Sequence, residues 1–241
     1  MMEGVKAVGF DLDGTFLKTH VDYVKLGEAD KKVLEAHGVP FDDVYRETFI
    51  KRPRWPIKDW LAAHGREDEF LAISEEIDGA FTEVEIEFVD EAVPYPGSKE
   101  CLAELRSIGL KTGLLTRGSL RYASLALGHT GTRDGFDVVM GRDHSFYDNA
   151  KPSPVAMKEF AELLEVDPSE ILYIGDNITD YMSAHGAGAR FAGVLTGSGS
   201  EKMWRDADPS MIVLEKAGDC VELFRSRGRS PTGCPGLRRK C

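Results

Sequence analysis

Long apolar runs are missing from this 241-residue chain, as is a secretory leader, and its four cysteines, Cys101, Cys220, Cys234 and Cys241, lack the paired spacing of a zinc site. These absences point away from membrane partners and toward a reducing cytoplasm. Positive charge is also short: 30 basic residues stand against 41 acidic ones, a net charge of −11. The shortage is sharper in the body of the chain. Residues 225–241 hold six basic residues and no acidic one, which leaves −17 on residues 1–224. A body that acidic is a poor general binder of nucleic acid. The basic tail is rich in Gly, Pro and Ser, has no apolar periodicity and is expected to be disordered, with a polyanion-contacting arm the lesser alternative.

What the chain does have is a series of polar sites, each following a strand-like run. The first is Asp11-Leu12-Asp13-Gly14-Thr15, after the apolar stretch Val5 to Phe10. Strand alternation sends Asp11 and Asp13 to one side and Gly14 signals a turn. Both acids are therefore expected at the strand's carboxyl edge, where open α/β sheets bind ligands. Further on, Lys111 to Leu115 ends in Thr116-Arg117-Gly118, and Phe136 to Met140 precedes Lys151-Pro152-Ser153-Pro154. Ile171 to Ile174 ends in Gly175-Asp176-Asn177-Ile178-Thr179-Asp180. Each site has a bland reading: Thr116 beside a helix N-cap, Lys151 on the surface, Asp176 or Asp180 capping the helix near Tyr181 to Ala187. Together those readings need four coincidences of residue type, order and placement, so the catalytic reading prevails.

Four motifs in this order resemble those of the haloacid dehalogenase superfamily in its magnesium-dependent phosphatase branch, from the start of the chain to about Gly197. The residue types suit that chemistry. A carboxylate is ionised at neutral pH, so Asp11 can attack phosphorus without an activating base and form an aspartyl-phosphate. Two unit charges ~4 Å apart interact by about 4 kcal/mol at an effective dielectric of about 20, so a phosphate dianion needs a cation among Asp11, Asp13, Asp176 and Asp180. Clustered carboxylate oxygens suit a hard divalent ion, and Mg²⁺ is the expected cofactor. The resemblance implies the side chains of Asp11 and Asp176 and the backbone carbonyl of Asp13 as its ligands, with Asp180 supporting them. Lys151 is expected to add a fixed positive charge beside the nucleophile. Thr116 is expected to donate to a phosphoryl oxygen, helped by the amides around Arg117 and Gly118. Asp13 is expected to protonate the leaving oxygen and then take a proton from the hydrolytic water, with Thr15 holding the loop.

The rest of the pattern predicts an α/β fold with a doubly wound parallel sheet. Helical spacing runs over Lys99 to Ile108, Leu120 to Leu127 and Pro154 to Leu164, and further strands are expected at Ala189 to Leu195 and Met211 to Leu214. Residues 1–19 and 94–224 are assigned to this Rossmann-like core, which a hydrophobic content of 42% can fill. Residues 20–93 are too long for an ordinary crossover and carry helical stripes at Phe70, Ile73, Ile77, Phe81, Val84 and Phe88 and at Ile57, Trp60 and Leu61. The resemblance makes this insertion a helical cap, hinged near Lys18 to Asp22 and Glu91 to Pro96. Within it, Lys51, Arg52 and Arg54 read as a solvated charged turn in preference to a site for a substrate carboxylate or second phosphate. Arg117 is better placed to touch substrate.

The expected function is a phosphatase for a small phosphorylated metabolite of the phosphoglycolate or sugar phosphate kind. A phosphomutase of the same lineage is the alternative. A metal-independent dehalogenase does not need Asp13, and a signalling receiver carries its phosphorylated Asp after a later strand.

Overall fold

The computed structural model describes residues 2–47, 49 and 51–225. The chain opens with β1 (Ala7–Phe10) and β2 (Leu17–Lys18), then passes through four helices, α1 (Tyr23–Ala36), α2 (Phe41–Val44), α3 (Trp55–Ala63) and α4 (Phe70–Ile86). It continues through β3 (Val93–Pro94), α5 (Ser98–Ser107), β4 (Lys111–Leu115), α6 (Leu120–His129), β5 (Val138–Met140) and α7 (Pro154–Leu163). Then come β6 (Ile171–Gly175), α8 (Ile178–Ala187), β7 (Arg190–Val194), α9 (Glu201–Ala207) and β8 (Ile212–Leu214), followed by a 3-10 turn at Ala217–Leu223.

Six strands form a parallel sheet in the order β5-β4-β1-β6-β7-β8. β1 and β6 are buried along their whole length, as strands covered by helices on both faces must be. One face packs Phe10, Leu114 and Leu172 against Tyr122 and Ala126 of α6; the other packs Tyr173 against Met157 and Phe160 of α7. Gly9 makes that second contact possible, because a Cβ there would lie 2.7 Å from the Phe160 ring and 2.8 Å from Tyr173. Phe136 and Asp137 precede β5 and do not extend it. The Phe136 ring packs edge-on to Phe16 at 4.9 Å, and the Asp137 carboxylate accepts the Thr112 amide at 2.8 Å.

The chain leaves β1 for β4 and β5 and returns to its other side at β6. Such a reversal opens a crevice at the strands' carboxyl ends. The insertion is helical and encloses an apolar core of its own, built from Val33, Leu34, Ile57, Leu61, Ile73 and Ile77. Phe88 falls past the end of α4 and stacks on His20 at 4.4 Å. β2 and β3 pair antiparallel, Leu17 opposite Pro94, where the chain enters and leaves the insertion. Among the described residues no helix is long and apolar enough to cross a membrane. The expected disorder of the basic tail falls outside the described residues, except at Arg225, which pairs with Glu104 at 2.7 Å.

Candidate active site

Asp11 leaves β1 with its amide bonded to Ile174 O of β6 at 2.9 Å, so the acid is fixed where the two strands end. Thr116 follows β4, Asp176 follows β6, Asp180 sits in the first turn of α8, and Lys151 lies just before α7. The crevice brings these distant residues together. Lys151 Nζ lies 2.6 Å from Asp11 Oδ1, 2.6 Å from Asp180 Oδ1, 2.9 Å from Tyr173 Oη and 3.0 Å from Leu115 O. An ammonium has three protons. Since the Tyr173 hydroxyl donates to Leu115 O at 2.6 Å, the three lysine protons can go to the two acids and to Tyr173. Burial alone would lower the Lys151 pKa, but Asp11 and Asp180 outweigh it and hold the group well above its ordinary value.

Two of the acids bind this lysine, and a third clusters with them. One oxygen each from Asp11, Asp176 and Asp180 can be chosen so that all lie within 4.8 Å of one another. Burial, and next the charge of Asp180, raises the Asp11 carboxyl well above its usual range, with Lys151 opposing. Asp176 is held on both oxygens: Thr15 donates to Oδ1 at 3.0 Å, and the Ser198 amide and hydroxyl donate to Oδ2 at 2.6 and 2.9 Å. Gly14, at φ +78°, turns the first loop so closely that a Cβ would sit 2.7 Å from Asp176 Oδ2. Asp180 also completes a capping box with Asn177, so the bland and the chemical readings of that residue hold together.

Asp13 faces the same space. Its Oδ1 accepts from Tyr122 at 2.5 Å and from Thr19 at 2.7 Å; burial raises its pKa, and those two bonds oppose the rise. Thr116 is buried, with its amide on Met140 O at 3.0 Å. The Gly118 amide donates to Thr116 Oγ1 at 2.9 Å where the loop turns back before α6. The Thr116 hydroxyl proton is thereby left to point elsewhere. Arg117 donates to Tyr147 Oη at 2.9 Å, with its guanidinium 5.4 Å from that ring.

Tyr122, Thr19, Tyr173 and Ser198 complete the site without having been singled out in the sequence. Only Ser198 had a local signal, the run Thr196-Gly197-Ser198-Gly199-Ser200 after an apolar strand. The cap closes over this crevice. Arg142, buried after β5, pairs with Glu85 of α4 and donates to Asp78 O at 3.1 Å and Thr82 Oγ1 at 3.2 Å. The other Glu85 oxygen accepts the Ser119 amide at 3.1 Å. Helix α3 has no capping side chain of its own, and Asp148 from the core accepts the Arg54 and Trp55 amides at its start, at 2.6 and 3.0 Å.

The solvated-turn reading of the basic cluster is overturned at Arg54, which is 1% exposed. Its guanidinium lies over Tyr147 at 4.2 Å and Phe81 at 5.3 Å and donates to Asp78 Oδ1 at 3.0 Å. Aromatic and acidic partners from α4 and the core enclose it, and charge alone gave no sign of them. Lys51, Arg52 and Arg117 line a cavity of about 310 Å³ between cap and core.

Comparison with known proteins agrees with this architecture. The family described as haloacid dehalogenase-like hydrolase matches residues 5–188. The chain is 30% identical over 202 residues to N-acetylmuramic acid 6-phosphate phosphatase of Pseudomonas aeruginosa, covering 80% of this chain and 83% of that one. It is 29% identical over 232 residues to phosphoglycolate phosphatase of Neisseria meningitidis serogroup A, covering 93% and 94%. Among solved structures, β-phosphoglucomutase from Clostridium difficile has a TM-score of 0.58 at 22% identity, covering 89% and 92%, which is a likeness of fold.

Proposed function

The chain belongs to the haloacid dehalogenase-like hydrolase family, and from that premise we propose that it is a Mg²⁺-dependent phosphatase hydrolysing a small phosphate monoester through an aspartyl-phosphate on Asp11. The observation that carries this reading is the convergence of Asp11, Asp176 and Asp180 oxygens on one another at the sheet's carboxyl edge, with Lys151 bonded to Asp11 and Asp180. Four acids, Asp13 included, against one lysine leave the crevice short of positive charge, and an all-oxygen donor set fits a hard divalent ion. Asp11, Asp176 and the Asp13 carbonyl would hold it. By the family resemblance Asp180 would support it from outside; its oxygens accept from Lys151 and from the Asn177 amide. When bound, the ion would supply charge neutralisation for the phosphoryl oxygens.

The protein's own residues supply the remaining steps. Lys151 holds Asp11 by Oδ1, and Oδ2, with no hydrogen bond among the described residues, attacks phosphorus as the bond to the ester oxygen breaks. Asp13, kept above its ordinary pKa by burial, gives its proton to the leaving oxygen. Water then attacks the aspartyl-phosphate and passes its proton to Asp13, releasing phosphate and restoring the Asp11 carboxylate. Thr116 directs its hydroxyl proton at a phosphoryl oxygen while Gly118 holds its lone pair, and Arg117 faces the substrate from the cavity wall.

Phosphate release measured with Mg²⁺ on a panel of sugar phosphates and phosphoglycolate tests the reading. Asp11→Asn is expected to lower release at least about a thousandfold, as loss of a covalent nucleophile does. Equal release from both proteins overturns it. A phosphomutase would instead return the phosphoryl group to its sugar, and accumulation of a bisphosphate without free phosphate would mark that outcome.

A further inference from the structure

The cavity between cap and core is lined by cations that hydrolysis of a simple ester does not use. Asp30, the acid among its lining residues, is closed off: both its oxygens are buried, beside Arg52 Nη1 at 3.5 Å and Arg54 Nη1 at 3.7 Å. Arg54 is held further by Asp78 at 3.0 Å, and Arg52 lies 4.8 Å from the Phe41 ring. Lys51 and Arg117 differ from these two, since neither has a carboxylate at ion-pair distance among the described residues. Arg117 gives one N–H to Tyr147 Oη at 2.9 Å, which leaves its other N–H groups and the Tyr147 hydroxyl proton without an acceptor among the described residues. Burial, and next the charge of Arg117, lowers the Lys51 pKa, while Asp180 and Asp11 oppose the fall. The lysine thus stands within electrostatic reach of both Arg117 and the nucleophile. Two like charges on a half-buried wall repel, and an anion entering between them removes that cost. Lys51 precedes α3 in the insertion and Arg117 follows β4, so one such anion would touch cap and core together.

We infer that Lys51 and Arg117 together bind a second anionic group of the substrate, a carboxylate or a further phosphate on its organic part, so that the enzyme prefers esters carrying two anionic groups over esters carrying one. The inference rests on the phosphatase reading and narrows its substrate class. The transferred phosphoryl group has Lys151, Thr116 and the divalent ion as its own partners, and Lys51 bonds to none of the acids there. Carboxylate and phosphate share the chemistry this pair recognises: Arg117 offers a planar fork to two oxygens, and Lys51 a point charge that follows a third or shares one of them. The Tyr147 hydroxyl proton adds a neutral donor beside the fork. A site built around a substrate anion rejects the analogue lacking it, because its paired cations are left facing each other.

The test uses the full-length enzyme with Mg²⁺ and compares kcat/KM within matched pairs that differ by one anionic group: phosphoglycolate against hydroxyethyl phosphate, a phosphorylated aldonate against the corresponding alditol phosphate, and a sugar bisphosphate against the monophosphate. In at least one pair the doubly anionic member is expected to lead by about tenfold or more. Which pair shows the lead tells a carboxylate from a phosphate. Lys51→Met is expected to remove most of that lead and Lys51→Arg to keep most of it, because the second anion meets a charge in one variant and none in the other. Singly anionic members that match or exceed their partners in every pair overturn the inference. A lead that survives Lys51→Met, with both members losing equally, overturns it too and places the lysine on the transferred phosphoryl group. Should Lys51→Met fail to fold by its melting curve, Lys51→Gln is read in its place, and if that also fails the wild-type pairs decide alone. Failure of the phosphatase reading looks different: no Asp11-dependent phosphate release from any ester, p-nitrophenyl phosphate included.

Discussion

Asp13 carries two hydroxyl donors on one oxygen, Tyr122 and Thr19, and burial still holds its pKa above the ordinary carboxylate range. Desolvation disfavours the charged form by more than those bonds favour it. A carboxyl so poised can give a proton and take it back. Tyr122→Phe removes a bond that favours the carboxylate and so raises the Asp13 pKa further. The alkaline limb of kcat/KM, where Asp13 has lost the proton it must donate, should then move to higher pH. A net hydrogen bond of about 0.5–1.5 kcal/mol, at about 1.4 kcal/mol per pH unit, sets the shift at up to about one unit. A limb that stays in place or falls in the measured pH profile would remove Asp13 from the acid role. Asp11 and Asp13 were legible because a turn directly after an apolar strand places them by local rules. Tyr122 was not, since it reaches Asp13 across 109 residues of chain.

At the scale of elements, the apolar stripes through Ile57 and Ile73 identified α3 and α4, but not what locks them to the core. That lock is polar. Asp148 satisfies the open amides of α3, and Arg142 fits between Glu85, Asp78 and Thr82 of α4. Arg142→Ala would leave Glu85 buried without its counter-charge, at a cost of about 3–5 kcal/mol. For a chain of this length the expected fall in melting temperature is on the order of 10 °C, together with a raised KM as the cap loses its seat. Unchanged melting and unchanged KM would show that the pair does not hold the cap. Charge clustering around Pro53 misled at Arg54 because it describes the local chain only, and the rings of Phe81 and Tyr147 that enclose the guanidinium come from other elements.

For the whole molecule, several acids stand in desolvated surroundings. Asp11, Asp13, Asp30, Glu85 and Asp180 all have raised pKa values, with burial the first cause in each case. Each binds its proton more tightly folded than unfolded. Its contribution to stability is therefore full below the ordinary carboxylate pKa and is lost as pH rises through the raised value. The chelator-treated protein should lose melting temperature as pH rises above the ordinary carboxylate range, and the gain on adding Mg²⁺ should grow with the same rise. A magnesium gain independent of pH would rule out ionised buried acids as its source. The sequence by itself determined the alternating α/β order and which residues stand at which strand ends, because apolar runs, turns and helical stripes act over a few neighbouring residues. The tertiary structure alone decided what surrounds those residues: Tyr122 on Asp13, Ser198 on Asp176, Tyr173 on Lys151, and the burial of Asp30 and Arg54 beneath the cap. Desolvation and hydrogen bonding depend on distance in space, and most of these contacts join segments that local pattern does not connect.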